Sequence, residues 1–187
     1  MSTRFHGLTF VTDPGRVFSP RQTSERLVDA ALGRIAGEPA RIADVGTGSG
    51  VVAITLALRA PQIEVWASDT CARALDVASL NADRLGARVH LVRGDLLDGL
   101  PRDLDLIVAN LPYLAPDTPG FDSEPPAAVF SSGDGLDHYR RLIAGAGDHL
   151  SPDGAVLIQF HGDVLEAERS ELPWLVGRLE SLVDAAA

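Results

Sequence analysis

Residues 40–58 constrain the fold of this chain more than any other stretch. Ala40-Arg41-Ile42-Ala43-Asp44-Val45 is a short apolar strand candidate, Gly46-Thr47-Gly48-Ser49-Gly50 follows at once, and residues 51–58 form an apolar run rich in helix-compatible Ala and Leu. Strand, glycine turn and helix in that order make the nucleotide-binding corner of a doubly wound sheet. Glycine admits positive φ and lets a ligand approach the backbone. The spacing is G-x-G-x-G rather than the dinucleotide fingerprint G-x-G-x-x-G, because Val51 stands where the third glycine would be. Asp44 precedes the loop. A carboxylate at that strand end suits a ligand with a cationic amino-acid end better than a pyrophosphate.

Two further acids stand at matching places. Ile63-Glu64-Val65-Trp66-Ala67-Ser68-Asp69 reads as the next strand, and Asp69 lies 19 residues after Gly50. An acid about 20 residues beyond the glycine loop binds ribose hydroxyls in this architecture. Val89-His90-Leu91-Val92-Arg93-Gly94 reads as another strand and ends at Asp95. Three acids at the carboxyl ends of three successive strands face the ligand crevice of an open α/β sheet. The pattern resembles the first motifs of S-adenosylmethionine-dependent methyltransferases of the Rossmann-like class. That resemblance implies S-adenosyl-L-methionine as cofactor, held by Asp44, Gly46, Thr47, Gly48, Gly50, Asp69, Thr70, Asp95, Leu96 and Asn110.

The run Leu104-Asp105-Leu106-Ile107-Val108-Ala109 stops at Asn110-Leu111-Pro112-Tyr113. Proline there removes a backbone donor and holds its predecessor extended, so the nearby carbonyls are not consumed by a helix. An amide side chain, free carbonyls and an aromatic ring at one point can accept both hydrogens of a planar NH2 group and flank it. The acceptor is then a carboxamide or a nucleobase amino group. In the expected mechanism the Asn110 side-chain oxygen and the Leu111 carbonyl take the two N–H bonds, Pro112 shapes the turn and Tyr113 lines the pocket. Alignment of nucleophile, methyl carbon and sulfur is chiefly a positioning effect. No strong base is needed, since the nitrogen sheds its proton once alkylated.

Across residues 17–161 the chain resembles the HemK/PrmC family, methyltransferases of a glutamine side-chain amide in peptide-release factors. The resemblance rests on Pro20-Arg21-Gln22-Thr23-Ser24-Glu25, the segment from Asp44 to Gly50, Asn81-Ala82, Gly94-Asp95-Leu96-Leu97, the Asn110 motif, Glu124-Pro125, and Gly133-Asp134-Gly135-Leu136-Asp137-His138-Tyr139-Arg140-Arg141-Leu142-Ile143. It implies a release factor as protein substrate. Three departures stand out. Leu111 replaces the first proline of the family's Asn-Pro-Pro-Tyr, Gln159 stands where relatives carry an acid, and the stretch before Val17 is too short for the helical N-terminal domain of bacterial members. Two other readings stay open: a nucleic-acid amino methyltransferase acting on adenine or guanine, which shares the Asn-Pro-Pro-Tyr chemistry, and a non-catalytic methyltransferase-like binding subunit.

Apolar residues repeat at helical spacing at Leu27, Val28, Ala31, Leu32 and Ile35, at Leu75, Ala78, Ala82 and Leu85, and at Leu136, Tyr139, Leu142, Ile143, Ala146 and Leu150. Helices alternating with strands imply right-handed crossovers and a mostly parallel sheet with helices on both faces, the Rossmann-like class I methyltransferase fold. One domain is expected over 1–187: a segment and helix to 38, a cofactor-binding and catalytic core over 39–161, and a tail over 162–187. The tail reads as helix over 164–179 broken at Pro173. The antiparallel hairpin that closes the sheet in this class is therefore expected to be missing, or its edge supplied by an accessory subunit or a second copy. Residues 115–132 hold four prolines and little periodicity, and read as a long functional loop over the site.

With 16 Lys and Arg against 26 Asp and Glu, the net charge is −10. That opposes general attraction to nucleic acid and favours a cationic cofactor or a basic protein partner. Arg140-Arg141 is the candidate for a local basic patch. The lone Cys71 excludes an internal disulfide, the five histidines lack metal spacing, and no 18-residue apolar run or signal pattern is present. The expectation is a cytoplasmic enzyme without a metal or a membrane span.

Overall fold

The computed structural model describes residues 1–115, 118–119, 121, 123–161 and 163–186. Its elements are β1 (Ser2–Phe5), β2 (Leu8–Val11), α1 (Thr23–Ile35), β3 (Arg41–Val45), α2 (Val51–Arg59), β4 (Glu64–Asp69), α3 (Ala72–Leu85), β5 (His90–Arg93), β6 (Leu104–Ala109), α4 (Asp137–His149), β7 (Leu150–Phe160), β8 (Asp163–Glu168) and α5 (Leu172–Ala186). Six strands form one sheet in the order β5-β4-β3-β6-β7-β8. Every pairing is parallel except β7 with β8.

The central strands are apolar at nearly every position because both faces are covered. Successive side chains alternate between the faces. Ile42, Leu106, Val108, Ala155 and Leu157 pack with Leu27, Val28 and Ala31 of α1 and Ile54 of α2. Ala43, Val45, Ile107, Ala109, Val156 and Ile158 pack with Tyr139, Leu142 and Ile143 of α4 and Leu175 and Leu179 of α5. Asn110 and Gln159 continue the first parity, so they belong to the α1 face. This parity places the site's polar side chains over the first turn of α1.

Strand order reverses between β3 and β6. The chain goes from β3 outward to β4 and β5, then returns to the other side of β3 as β6. Such a switch point opens a crevice at the carboxyl ends of the two strands. Val45 is level with Ala109 and with Ser68. Gly46, Asn110 and Asp69 are therefore brought together by register.

Two expectations about the ends are corrected. Residues 163–168 are a strand, not helix, and supply the antiparallel edge that was expected to be missing. Its acids meet α1, where Arg34 pairs with Glu166 and Glu168, each at 3.1 Å. Pro173 lies in the first turn of α5, where a missing N–H costs nothing, and it breaks no helix. At the other end, β1 and β2 form a hairpin turned by His6 (φ 48) and Gly7 (φ 80). Its Phe5 and Phe10 are buried edge-to-face, with centroids 6.1 Å apart. Among the described residues no helix is long and apolar enough to cross a membrane.

Candidate active site

Asp44, the penultimate residue of β3, is almost fully buried, at 2% exposure. Its Oδ2 accepts the Thr47 hydroxyl at 2.7 Å and the Ala53 N–H at 3.2 Å, tying the glycine loop to the first turn of α2. Burial pushes its carboxyl up to about 6, against the pull of those two bonds. The loop is fixed from below as well, because Gly46 N and Thr47 N donate to the Ser68 carbonyl at 2.9 and 3.0 Å. Gly48 N donates to Asp69 Oδ2 at 2.9 Å, and Cys71 N to Asp69 Oδ1 at 2.8 Å. Asp69 thus holds the loop and its own strand end together, a structural duty that its spacing alone did not reveal.

Asp44, Gly46, Thr47, Gly48, Ser68, Asp69 and Cys71 line one cleft, together with Thr70, Asp95, Leu96, Asn110, Leu111 and Pro112. Gly50 does not line it. It begins α2 at φ 81, and a Cβ there would meet Ile54 Cδ1 at 2.9 Å and Ala78 Cβ at 3.0 Å. Its role is close packing of α2 on α3. Asp95 pairs with Arg141, and Arg140 pairs with Asp134 and Glu180. The expected basic patch is therefore neutralised by its neighbours.

A second cleft lies beside the first, and Asn110, Leu111 and Pro112 line both. Tyr113 lies in the second, with its ring 5.1 Å from those of Phe160 and His161. At the same cleft the Arg21 guanidinium sits 5.4 Å from the Phe18 ring and 4.9 Å from the Phe121 ring. The loop expected over the site is there in part: Pro125, Ala127 and Ala128 line the first cleft, and Ser19 N donates to Glu124 Oε2 at 3.1 Å. Pro116, Asp117, Gly120 and Asp122 of that expectation lie outside the described residues.

The Asn110 side chain is oriented by α1. Its Nδ2 donates to Ser24 Oγ at 3.0 Å, which leaves Oδ1 as the free acceptor. One position away, Gln159 Nε2 donates to Thr23 Oγ1 at 2.8 Å. Leu111, which stands in place of a proline, uses the backbone donor that the substitution provides. It keeps an N–H that proline lacks, and that N–H donates to the buried Tyr139 hydroxyl at 3.2 Å. The single Tyr139 proton goes to the Gln159 carbonyl, far closer than the Leu111 carbonyl at 3.5 Å, so the Leu111 carbonyl stays available. Burial pushes the Tyr139 phenol up, and it remains a hydroxyl.

Sequence reading missed Ser24, Thr23 and Tyr139 as positioning groups, although all three lie in segments it singled out. It also missed Asn81, a buried clip whose Oδ1 accepts Val11 N at 2.7 Å and whose Nδ2 donates to the Ser49 carbonyl at 2.9 Å. Asn81 thus couples the N-terminal hairpin to the glycine loop.

The model of the methyltransferase small domain family matches residues 7–120. The chain belongs to that family. Its curated relatives bear out the resemblance to HemK/PrmC methyltransferases. A release factor glutamine methyltransferase of Bordetella pertussis is 42% identical over 164 residues, 83% of this chain and 61% of the relative. One of Moorella thermoacetica is 42% identical over 168 residues, 85% of this chain and 59% of the relative. The chain thus spans about three fifths of the length of these relatives. Among solved structures, ribosomal protein L11 methylase of Lactobacillus delbrueckii subsp. bulgaricus is 26% identical, with TM-score 0.55 over 74% of this chain and 60% of that one. A 16S rRNA N2 methyltransferase of T. thermophilus, solved with AdoMet and guanosine, has TM-score 0.62 at 18% identity, over 84% of this chain and 40% of that one. At that identity the likeness concerns the Rossmann-like fold alone.

Proposed function

We propose that this methyltransferase-family chain moves a methyl group from S-adenosyl-L-methionine to the side-chain amide nitrogen of a glutamine in a peptide-release factor. The observation that carries the reading is the seam of Asn110, Leu111 and Pro112 shared by two adjoining clefts. Phe18 and Ala128 border both clefts as well, so a donor in one and an acceptor in the other meet along this seam. The first cleft fits the cofactor by its donor set: a buried carboxylate at Asp44 for a cationic end, and an acid at each of the next two strand ends for ribose and adenine. When bound, the sulfonium supplies an electrophilic methyl group.

The chain's own residues do the rest by position. Asn110 Oδ1 and the Leu111 carbonyl receive the two amide hydrogens, which fixes the plane of the nitrogen and favours the positive charge that develops on it. Tyr113 lines the acceptor cleft with its ring packed on the buried Phe160. The names of the curated relatives support glutamine as the acceptor. The acidic net charge and the neutralised Arg140 and Arg141 speak against a nucleic-acid surface. The test is incubation with methyl-labelled cofactor and a release factor, followed by peptide mass analysis. Label on the glutamine of its Gly-Gly-Gln loop is expected. Label on RNA, or cofactor binding with no transfer to any acceptor, would overturn the reading.

A further inference from the structure

Gln159 holds a group that nothing so far uses. The side chain is 3% exposed, and its Oε1 has no hydrogen-bond partner among the described residues. Leaving a buried carbonyl unpaired is costly, and native proteins rarely do so. Its other end is committed, because Nε2 donates to Thr23 Oγ1. The side chain lines the second cleft and not the first. A ligand donor is the partner this oxygen lacks.

Position says which donor. Ala109 is level with Ile158 across the β6–β7 pair, so Asn110 and Gln159 are neighbours one step beyond. Their amide groups are tied to adjacent residues of α1, Ser24 and Thr23. Two amide groups therefore stand side by side, one at the seam and one in the lining of the acceptor cleft. The hydrogens of the reacting amide are consumed at the seam by Asn110 Oδ1 and the Leu111 carbonyl. What reaches Gln159 belongs to a part of the acceptor further from the reacting nitrogen. Neighbouring strands lie about 4.8 Å apart, a gap that a glutamine residue bridges between its side-chain amide and its own main-chain N–H.

We infer that Gln159 Oε1 accepts the main-chain N–H of the glutamine being methylated, which makes Gln159 a specificity residue for peptide over free amide. This rests on the acceptor proposed above. A neutral carbonyl suits a neutral N–H.

The test is a double-mutant cycle in binding. Calorimetry with the demethylated cofactor present, so that no turnover occurs, measures a Gly-Gly-Gln peptide and the same peptide with the glutamine main-chain N–H replaced by an ester oxygen. Wild type is expected to bind the ester on the order of tenfold more weakly. Gln159→Met should bind the native peptide on the order of tenfold more weakly and show no further loss with the ester. Gln159→Glu, which keeps an acceptor oxygen, should bind the native peptide better than Gln159→Met does. In turnover the Gln159→Met loss should fall in KM rather than kcat.

No ester penalty in wild type overturns the inference, whatever the variants do. So does an equal penalty in Gln159→Met, a loss confined to kcat, or no peptide binding at all. Coupled binding without methyl transfer by wild type would overturn the proposed reaction and leave the Gln159 contact standing.

Discussion

Gly46→Ala tests how the glycine loop and the strand-end motif fit together. Gly46 has φ 73, a left-handed conformation that costs a residue with a Cβ roughly 1–2 kcal/mol. A Cβ built there meets Leu111 Cδ2 at 2.7 Å. Leu111 is itself 5% exposed, so it has little room to retreat. Overpacking of this kind costs about 1–3 kcal/mol. The expected destabilisation is therefore about 2–5 kcal/mol. Denaturant unfolding should report it as a lower midpoint at unchanged slope. Leu111→Ala removes the obstruction, and in that background Gly46→Ala should cost only the backbone share of about 1–2 kcal/mol. The cycle then yields a coupling of about 1–3 kcal/mol. Additivity within about 0.5 kcal/mol would refute the claim that the Leu111 side chain fills the space above Gly46.

Asn110→Ala should lower methyl transfer by at least about a hundredfold while cofactor affinity survives; Ser24→Ala should lose less, since it frees the amide to rotate without removing it. Normal turnover by Asn110→Ala in a labelled-methyl assay would end its assigned role. Tyr139→Phe leaves the Leu111 N–H and the Gln159 carbonyl without their shared partner, and should cost about 2–4 kcal/mol in chemical denaturation. A change near zero would mean that water or a backbone shift replaces the hydroxyl. Asp44 has its carboxyl raised from 3.8 to about 6, so its stabilising contribution is complete below the lower value and is lost as pH rises through the upper one. The loss is about 3 kcal/mol at most, and Asp44→Asn should flatten that part of the stability–pH profile. An unchanged slope would show that burial of Asp44 is not its source.

The core of the fold was legible because β3, β6 and the end of β7 are mostly apolar, and because α1 and α4 repeat at helical spacing. The cofactor cleft was legible for a related reason: each motif residue sits at or beside a strand end, and a parallel sheet gathers strand ends. Residues 163–168 were not legible. Leu165, Glu166 and Ala167 favour helix locally, and pairing with β7 makes them a strand, so tertiary context overrode propensity. The N-terminal hairpin did carry a signal, alternating Phe5, Leu8 and Phe10 around a His-Gly turn, but it is too short to be read against the stronger motifs beside it. Ser24 and Thr23 lay in a segment that carries the resemblance, but nothing in it marked them as positioning groups, since hydroxyls in a first helical turn are ordinary. Only the parity of β6 and β7 toward α1 reveals what they hold.

That pairing of consecutive hydroxyls with two amides has an evolutionary consequence. Adjacent helical residues differ by about 100° around the axis and 1.5 Å along it, so the bearing of one amide on the other is set by a single peptide unit. Substitutions can tune either amide alone, but an insertion or deletion in that turn would swing both out of alignment together. Drift in this segment should therefore proceed by exchange of side chains at constant length.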